Sequence, residues 1–132
     1  FFVGGFSQQW GYFAAGAMFF KQPCPHFKRC CTVYDQQKPG ICSAFSCKSL
    51  RQLEKGSLQL ADAMALVEKA RMLQKATHAS FPAAKSSPLS HLEALDRANS
   101  INGNAALRLE HARFLLLFAA WHAHLKKHFY LK

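Results

Sequence analysis

The first twenty residues, FFVGGFSQQWGYFAAGAMFF, carry no charged side chain. That length is about what a helix needs to cross a hydrocarbon layer of roughly 30 Å. Such a stretch has two physical outlets, a membrane or burial against a partner. Gly4, Gly5, Gly11 and Gly16 lower its helix propensity, and Ser7, Gln8 and Gln9 place polar groups in its middle. Glycine is better tolerated in membrane helices than in soluble ones, and Gly11 with Ala15 forms a small-xxx-small step for close helix contact. Trp10 and Tyr12 sit mid-stretch and not at the ends, where an aromatic belt would place them. We therefore expect residues 1–20 to form a helix that packs on partner helices, with the Gln8/Gln9 level hydrogen-bonded to protein. A remnant signal sequence is the alternative. Ala15-Gly16-Ala17 resembles a small-residue cleavage site, but the basic region that should precede it is missing.

Beyond that stretch the chain is basic. Seventeen Lys and Arg stand against seven Asp and Glu, giving a net charge of +10. The expected partners are anionic: lipid headgroups, nucleic acid or acidic protein surfaces. The basic residues are scattered, and the longest runs are Lys28-Arg29 and Lys126-Lys127. A dedicated nucleic-acid arm would concentrate its charge. Lys21, Lys28 and Arg29 follow the uncharged stretch, so a spanning helix would place that end in the matrix, stroma or cytoplasm. At 132 residues the chain has room for one domain at most.

Cys24, Cys30, Cys31, Cys42 and Cys47 fall in an irregular segment, residues 21–48, broken by Pro23, Pro25, Pro39 and Gly40. Two disulfides could staple such a segment where a hydrophobic core cannot. A zinc site using Cys24, one of Cys30 or Cys31, Cys42 and Cys47, with His26 in reserve, is a second arrangement. Free thiols in a reducing compartment are the third. Disulfides and a reducing, positive side conflict, so at most one of those two inferences holds. Lys38-Pro39-Gly40 interrupts the interval between Cys31 and Cys42, so the paired-cysteine helical hairpin pattern is not met.

The remainder, residues 49–132, reads as helical. Leu50, Leu53, Leu60, Met64, Val67 and Leu73 give an apolar side to a helix over 49–78, with Ser49 as its cap. Gly56 is its weak point, and Ser57 is an alternative cap. A Pro/Ser/Ala linker over 79–88 precedes a short helix over 89–98, capped by Ser87 before Pro88. Asn102-Gly103 signals a turn, and a long helix is expected over 104–128. The uncharged window of that helix, between Arg113 and Lys126, is short for a span. It suits an interfacial or buried helix. No run alternates with period two for long enough to predict a strand.

Catalytic chemistry finds little support. Glu54, Asp62, Glu68, Glu93, Asp96 and Glu110 all fall on predicted helices beside basic residues and read as solvated faces. No phosphate loop, nucleophile elbow or zincin motif occurs. His124 and His128 share a helix face, with His111 and His122 nearby, and two such imidazoles can hold a metal. No carboxylate lies close in sequence to complete a site.

The expected fold class is all-α, with a few helices in an extended arrangement. The expected function is that of a non-catalytic accessory subunit, without cofactor or metal, in a large organellar membrane complex. The mitochondrial respiratory chain at the inner membrane is the first choice. Its partners would be larger subunits and an anionic lipid such as cardiolipin, met by Lys21, Lys28, Arg29, Arg113, Lys126 and Lys127. The missing initiator Met fits a removed targeting presequence. An RNA-binding organellar ribosomal protein is the alternative, with Phe27, Tyr34, Phe45 and Phe81 available to stack on bases. A secreted cysteine-rich factor is the weaker one.

Overall fold

Phe114, Phe118, Trp121 and Leu125 recur at helical spacing, and the first three are buried. Such a stripe must find apolar partners, and it organises the C-terminal half of the chain. The structure, a computed structural model, describes residues 11–20, 24–36, 38, 40–44, 46–81 and 90–130. It divides into two units, Phe1–Phe45 and Ser46–Lys132.

The described part of the C-terminal unit is helical: α2 (Lys48–Glu54), α3 (Leu60–Ala79), α4 (His91–Asn102), α5 (Ala105–Glu110) and α6 (Ala112–His128). Its buried core is Ala94, Ala98 and Ile101 of α4 with Phe114, Phe118 and Trp121 of α6. Leu73 of α3, Phe81, and Leu107 of α5 pack around it. Phe81 meets Phe114 edge-on at 5.0 Å and carries the Arg97 guanidinium over its face at 4.3 Å.

The helix over 49–78 is two helices. At Gly56, with φ +72°, the chain leaves α2. The Gly56 N–H donates to the Leu53 carbonyl at 3.0 Å and the Ser57 N–H to Gln52 at 2.9 Å, the paired bonds of a Schellman ending. The cap of α2 is Cys47, whose sulfur accepts from the Leu50 N–H at 3.5 Å, and not Ser49. Ser49 is the second residue of α2 and is buried, and its hydroxyl donates to the His128 carbonyl. Helix α3 starts after Gln59, not at a Ser57 cap.

Helix α4 is capped by Ser90, not Ser87. The Ser90 hydroxyl accepts from the Glu93 N–H at 3.2 Å, and Glu93 accepts from the Ser90 N–H at 3.1 Å. Ser87, Pro88 and most of the expected linker lie outside the described residues. The helix runs on through Asn102, so the turn falls at Gly103-Asn104. Asn104 caps α5 by accepting from the Ala106 and Leu107 N–H groups. The helix over 104–128 is interrupted at His111, where the ring stacks on Phe81 at 5.7 Å.

The N-terminal unit corrects the expected first helix. Residues 11–20 form an antiparallel hairpin, β1 (Gly11–Ala14) with β2 (Ala17–Phe20). Ala15 and Gly16, at φ +49° and +75°, make its two-residue turn. Positive φ at both positions matches the right-handed strand twist, and Tyr12 stacks on Phe19 across the strands at 5.5 Å. Gly11 and Ala15 therefore form no helix-packing step. The Gln8/Gln9 level and Lys21 lie outside the described residues. A second, smaller hairpin pairs β3 (Phe27–Lys28) with β4 (Cys30–Cys31) around Arg29, at φ +67°. A short helix, α1 (Gly40–Ala44), follows.

The described residues are thus mostly helical, as expected, with two short hairpins that were not. No helix among them is long and apolar enough to cross a membrane. Within the apolar window of α6, Phe114, Phe118 and Trp121 face the unit's own core, while Leu116 is exposed.

Candidate interaction surface

Helix α3 buries Ala63 and Thr77 and packs on α6. Its outward side is not polar throughout. Leu60, Met64 and Val67 follow one another at steps of four and three, which puts them on one face. They are 63%, 60% and 39% exposed. Arg71 and Lys75 extend the same row, both exposed. Arg71 approaches Glu68 at 3.7 Å across solvent, a pair too exposed to neutralise the row.

The far end of α6 is tied to α2. The last carbonyls of a helix lack intrahelical donors. Here the Lys48 N–H donates to Phe129 at 3.1 Å, the Lys48 ammonium to Lys127 at 3.0 Å, and Ser49 to His128. Of the residues expected to meet lipid, Lys126 and Lys127 lie at this end, exposed, and Arg113 lies at the other end of α6. Lys28 and Arg29 are exposed on the small hairpin of the N-terminal unit. Lys21 lies outside the described residues; of the other five, Lys28 and Arg29 belong to the N-terminal unit and Arg113, Lys126 and Lys127 to the C-terminal one.

The histidines are structural in a way the sequence did not reveal. His91, at the start of α4, links Tyr130 to His122. The Tyr130 hydroxyl lies 2.8 Å from His91 Nδ1, and His91 Nε2 lies 2.9 Å from His122 Nδ1. Burial raises the Tyr130 phenol above its usual 10.0, so it keeps its proton at neutral pH. The His91 ring also stacks on Phe118 at 5.7 Å and meets Trp121 edge-on at 5.3 Å. Burial first, and His122 second, hold its pKa below the usual 6.5. His124 is buried, and its Nε2–H donates to the Leu66 carbonyl at 2.9 Å, with the His128 ring 4.8 Å away. Among the described residues no group of three or more His, Cys, Asp or Glu is arranged to hold a metal ion.

The five cysteines are free thiols. No two of them are joined in a disulfide. Cys30 and Cys31 are successive residues of a strand, which point to opposite faces. Cys47 belongs to the C-terminal unit as a helix cap, whereas Cys24, Cys30, Cys31 and Cys42 belong to the N-terminal one.

No protein-family model, no curated protein and no solved structure matches the chain.

Proposed function

We propose that this chain is a non-catalytic accessory subunit of an organellar membrane complex, seated against larger subunits and anionic lipid. The mitochondrial inner membrane is the compartment this reading carries with it. The observation behind it is the outward row of α3, where Leu60, Met64 and Val67 lead into Arg71 and Lys75 on a chain of net charge +10. Each basic residue near an anionic bilayer is worth about 1 kcal/mol, and the apolar side chains add their burial. The row supports contact with a surface without a span.

Vesicle sedimentation tests the lipid half. The full chain is expected to pellet with phosphatidylcholine vesicles that contain cardiolipin, and not with phosphatidylcholine alone. Added salt should weaken the binding, because it screens the charge term. Met64→Asp should weaken it about tenfold, roughly 1.4 kcal/mol. Equal binding to both vesicles, or to neither, overturns the reading. Preference for RNA over cardiolipin vesicles overturns it in favour of the ribosomal alternative.

A further inference from the structure

Where the end of α6 meets α2 and the first half of α3 there is an open cleft of about 480 Å³. That volume is within the range of small-ligand sites. Leu58, Ala65 and Leu66 are its apolar lining. Lys48, Lys127 and His128 line it as well, with one carboxylate, Asp62. Asp62 lies in the first turn of α3, where the helix dipole already engages its charge. The Lys48 ammonium is pinned by the Lys127 carbonyl at 3.0 Å, which leaves it two further N–H groups to give. The His128 pKa is lowered by burial first and then by His124, Lys127, Lys48 and Lys69, so at neutral pH its ring is uncharged and the cations of the cleft are Lys48 and Lys127. The cleft lies on the flank of α3 that carries Asp62, Ala65 and Leu66, away from the row of Leu60, Met64 and Val67.

We propose that this cleft binds one molecule of an anionic amphiphile, its phosphate head on Lys48, Lys127 and His128 and its acyl chain on Leu58, Ala65 and Leu66. Cations alone would suit any phosphate. The apolar lining selects the lipid form, because a bare anion leaves that surface in contact with water. The proposal rests on the anionic-lipid reading above and adds to it a site for a single molecule.

Titration calorimetry on the full chain tests it, with dodecyl phosphate below its micelle concentration, inorganic phosphate and dodecyl maltoside as probes. Dodecyl phosphate is expected to bind one to one. Inorganic phosphate is expected to bind at least tenfold more weakly, and dodecyl maltoside not saturably. Lys127→Glu and Leu58→Asp, both outside the buried core, should each weaken dodecyl phosphate about tenfold while the helical circular dichroism persists. The double variant Arg71→Glu/Lys75→Glu should weaken vesicle binding and leave dodecyl phosphate unchanged. Absence of saturable dodecyl phosphate binding overturns the proposal, as does equal binding of inorganic phosphate or of dodecyl maltoside. Vesicle binding that survives without dodecyl phosphate binding removes the cleft alone. Dodecyl phosphate binding without vesicle binding removes the surface reading and leaves the cleft.

Discussion

His91 concentrates more of the chemistry of the C-terminal unit than any other single residue. Both of its ring nitrogens are engaged, at 2.8 Å by Tyr130 and at 2.9 Å by His122, and two aromatic rings of α6 press on it. His91 and His122 cannot both be imidazolium and keep that contact, because two N–H groups would then face each other. Among the described residues, the rings set against His91 are those of His122, Phe118 and Trp121 of α6 and of Tyr130 beyond it. Its folded pKa lies below 6.5. The folded chain therefore binds fewer protons than the unfolded one between that lowered value and 6.5. The stabilisation is complete above 6.5 and is lost as pH falls through the folded value. His128, also lowered, acts in the same direction. We expect the melting temperature to drop between about pH 7.5 and about pH 5.5. His91→Phe should make that drop shallower, at a cost near 1 kcal/mol at neutral pH for the lost hydrogen bonds. Thermal melts across this range decide it, and an unchanged slope in the variant would refute the assignment.

At the scale of elements, Gly56 separates α2 from α3. Its φ of +72° is left-handed, and among the described residues no atom beyond its chain neighbours stands within 4 Å of where a Cβ would be. A side chain there meets conformational strain and not a clash. Gly56→Ala should therefore cost about 1–2 kcal/mol, with Gly56→Asn milder. Urea denaturation measures this. If one continuous helix ran over 49–78, alanine would stabilise it instead, so the sign discriminates. This break was legible in the sequence, as were the helical periodicity and the apolar stripe of α6, because each depends on local spacing. The Ser90 capping box was legible too, in Ser90-x-x-Glu93, but the Ser87-Pro88 pair drew the start of the helix away from it. The interruption at His111 was not legible. No Gly or Pro marks it, and it lies where Phe81, thirty residues earlier in the chain, packs against α6. The first hairpin was missed because Ala15-Gly16 lacks the Asn-Gly signature of its turn, and a chargeless stretch reads equally as a span. Of the interaction surface, the charge and the apolar residues of α3 were visible. Which side of α3 faces out was not, since that depends on where α6 lies. His91 was invisible as a partner of His122, because the two are far apart in sequence.

For the molecule as a whole, the size of the core sets the limit on stability. Among the described residues of the C-terminal unit, the buried apolar set is Ala63, Ala94, Ala98, Ile101, Phe114, Phe118 and Trp121. Three of these are alanines, which bring little area, so two phenylalanines, a tryptophan and an isoleucine supply most of it. A domain with so small a core belongs near the bottom of the usual range, at about 5 kcal/mol. Phe114 is 0% exposed and sits where α4, α6 and Phe81 converge. Removing its ring forfeits burial and leaves a cavity, for a loss of about 3–5 kcal/mol. That loss is comparable to the whole stability of the unit. Phe114→Ala is therefore expected to abolish cooperative thermal unfolding near room temperature, whereas Leu116→Ala, on the exposed side of the same helix at 72%, should shift stability by no more than about 0.5 kcal/mol. Circular dichroism melts of the two variants make the comparison within one helix. A cooperative transition in Phe114→Ala displaced by only a few degrees would mean that a larger core than this one holds the chain together, and surface burial against another part of the chain would then have to supply it.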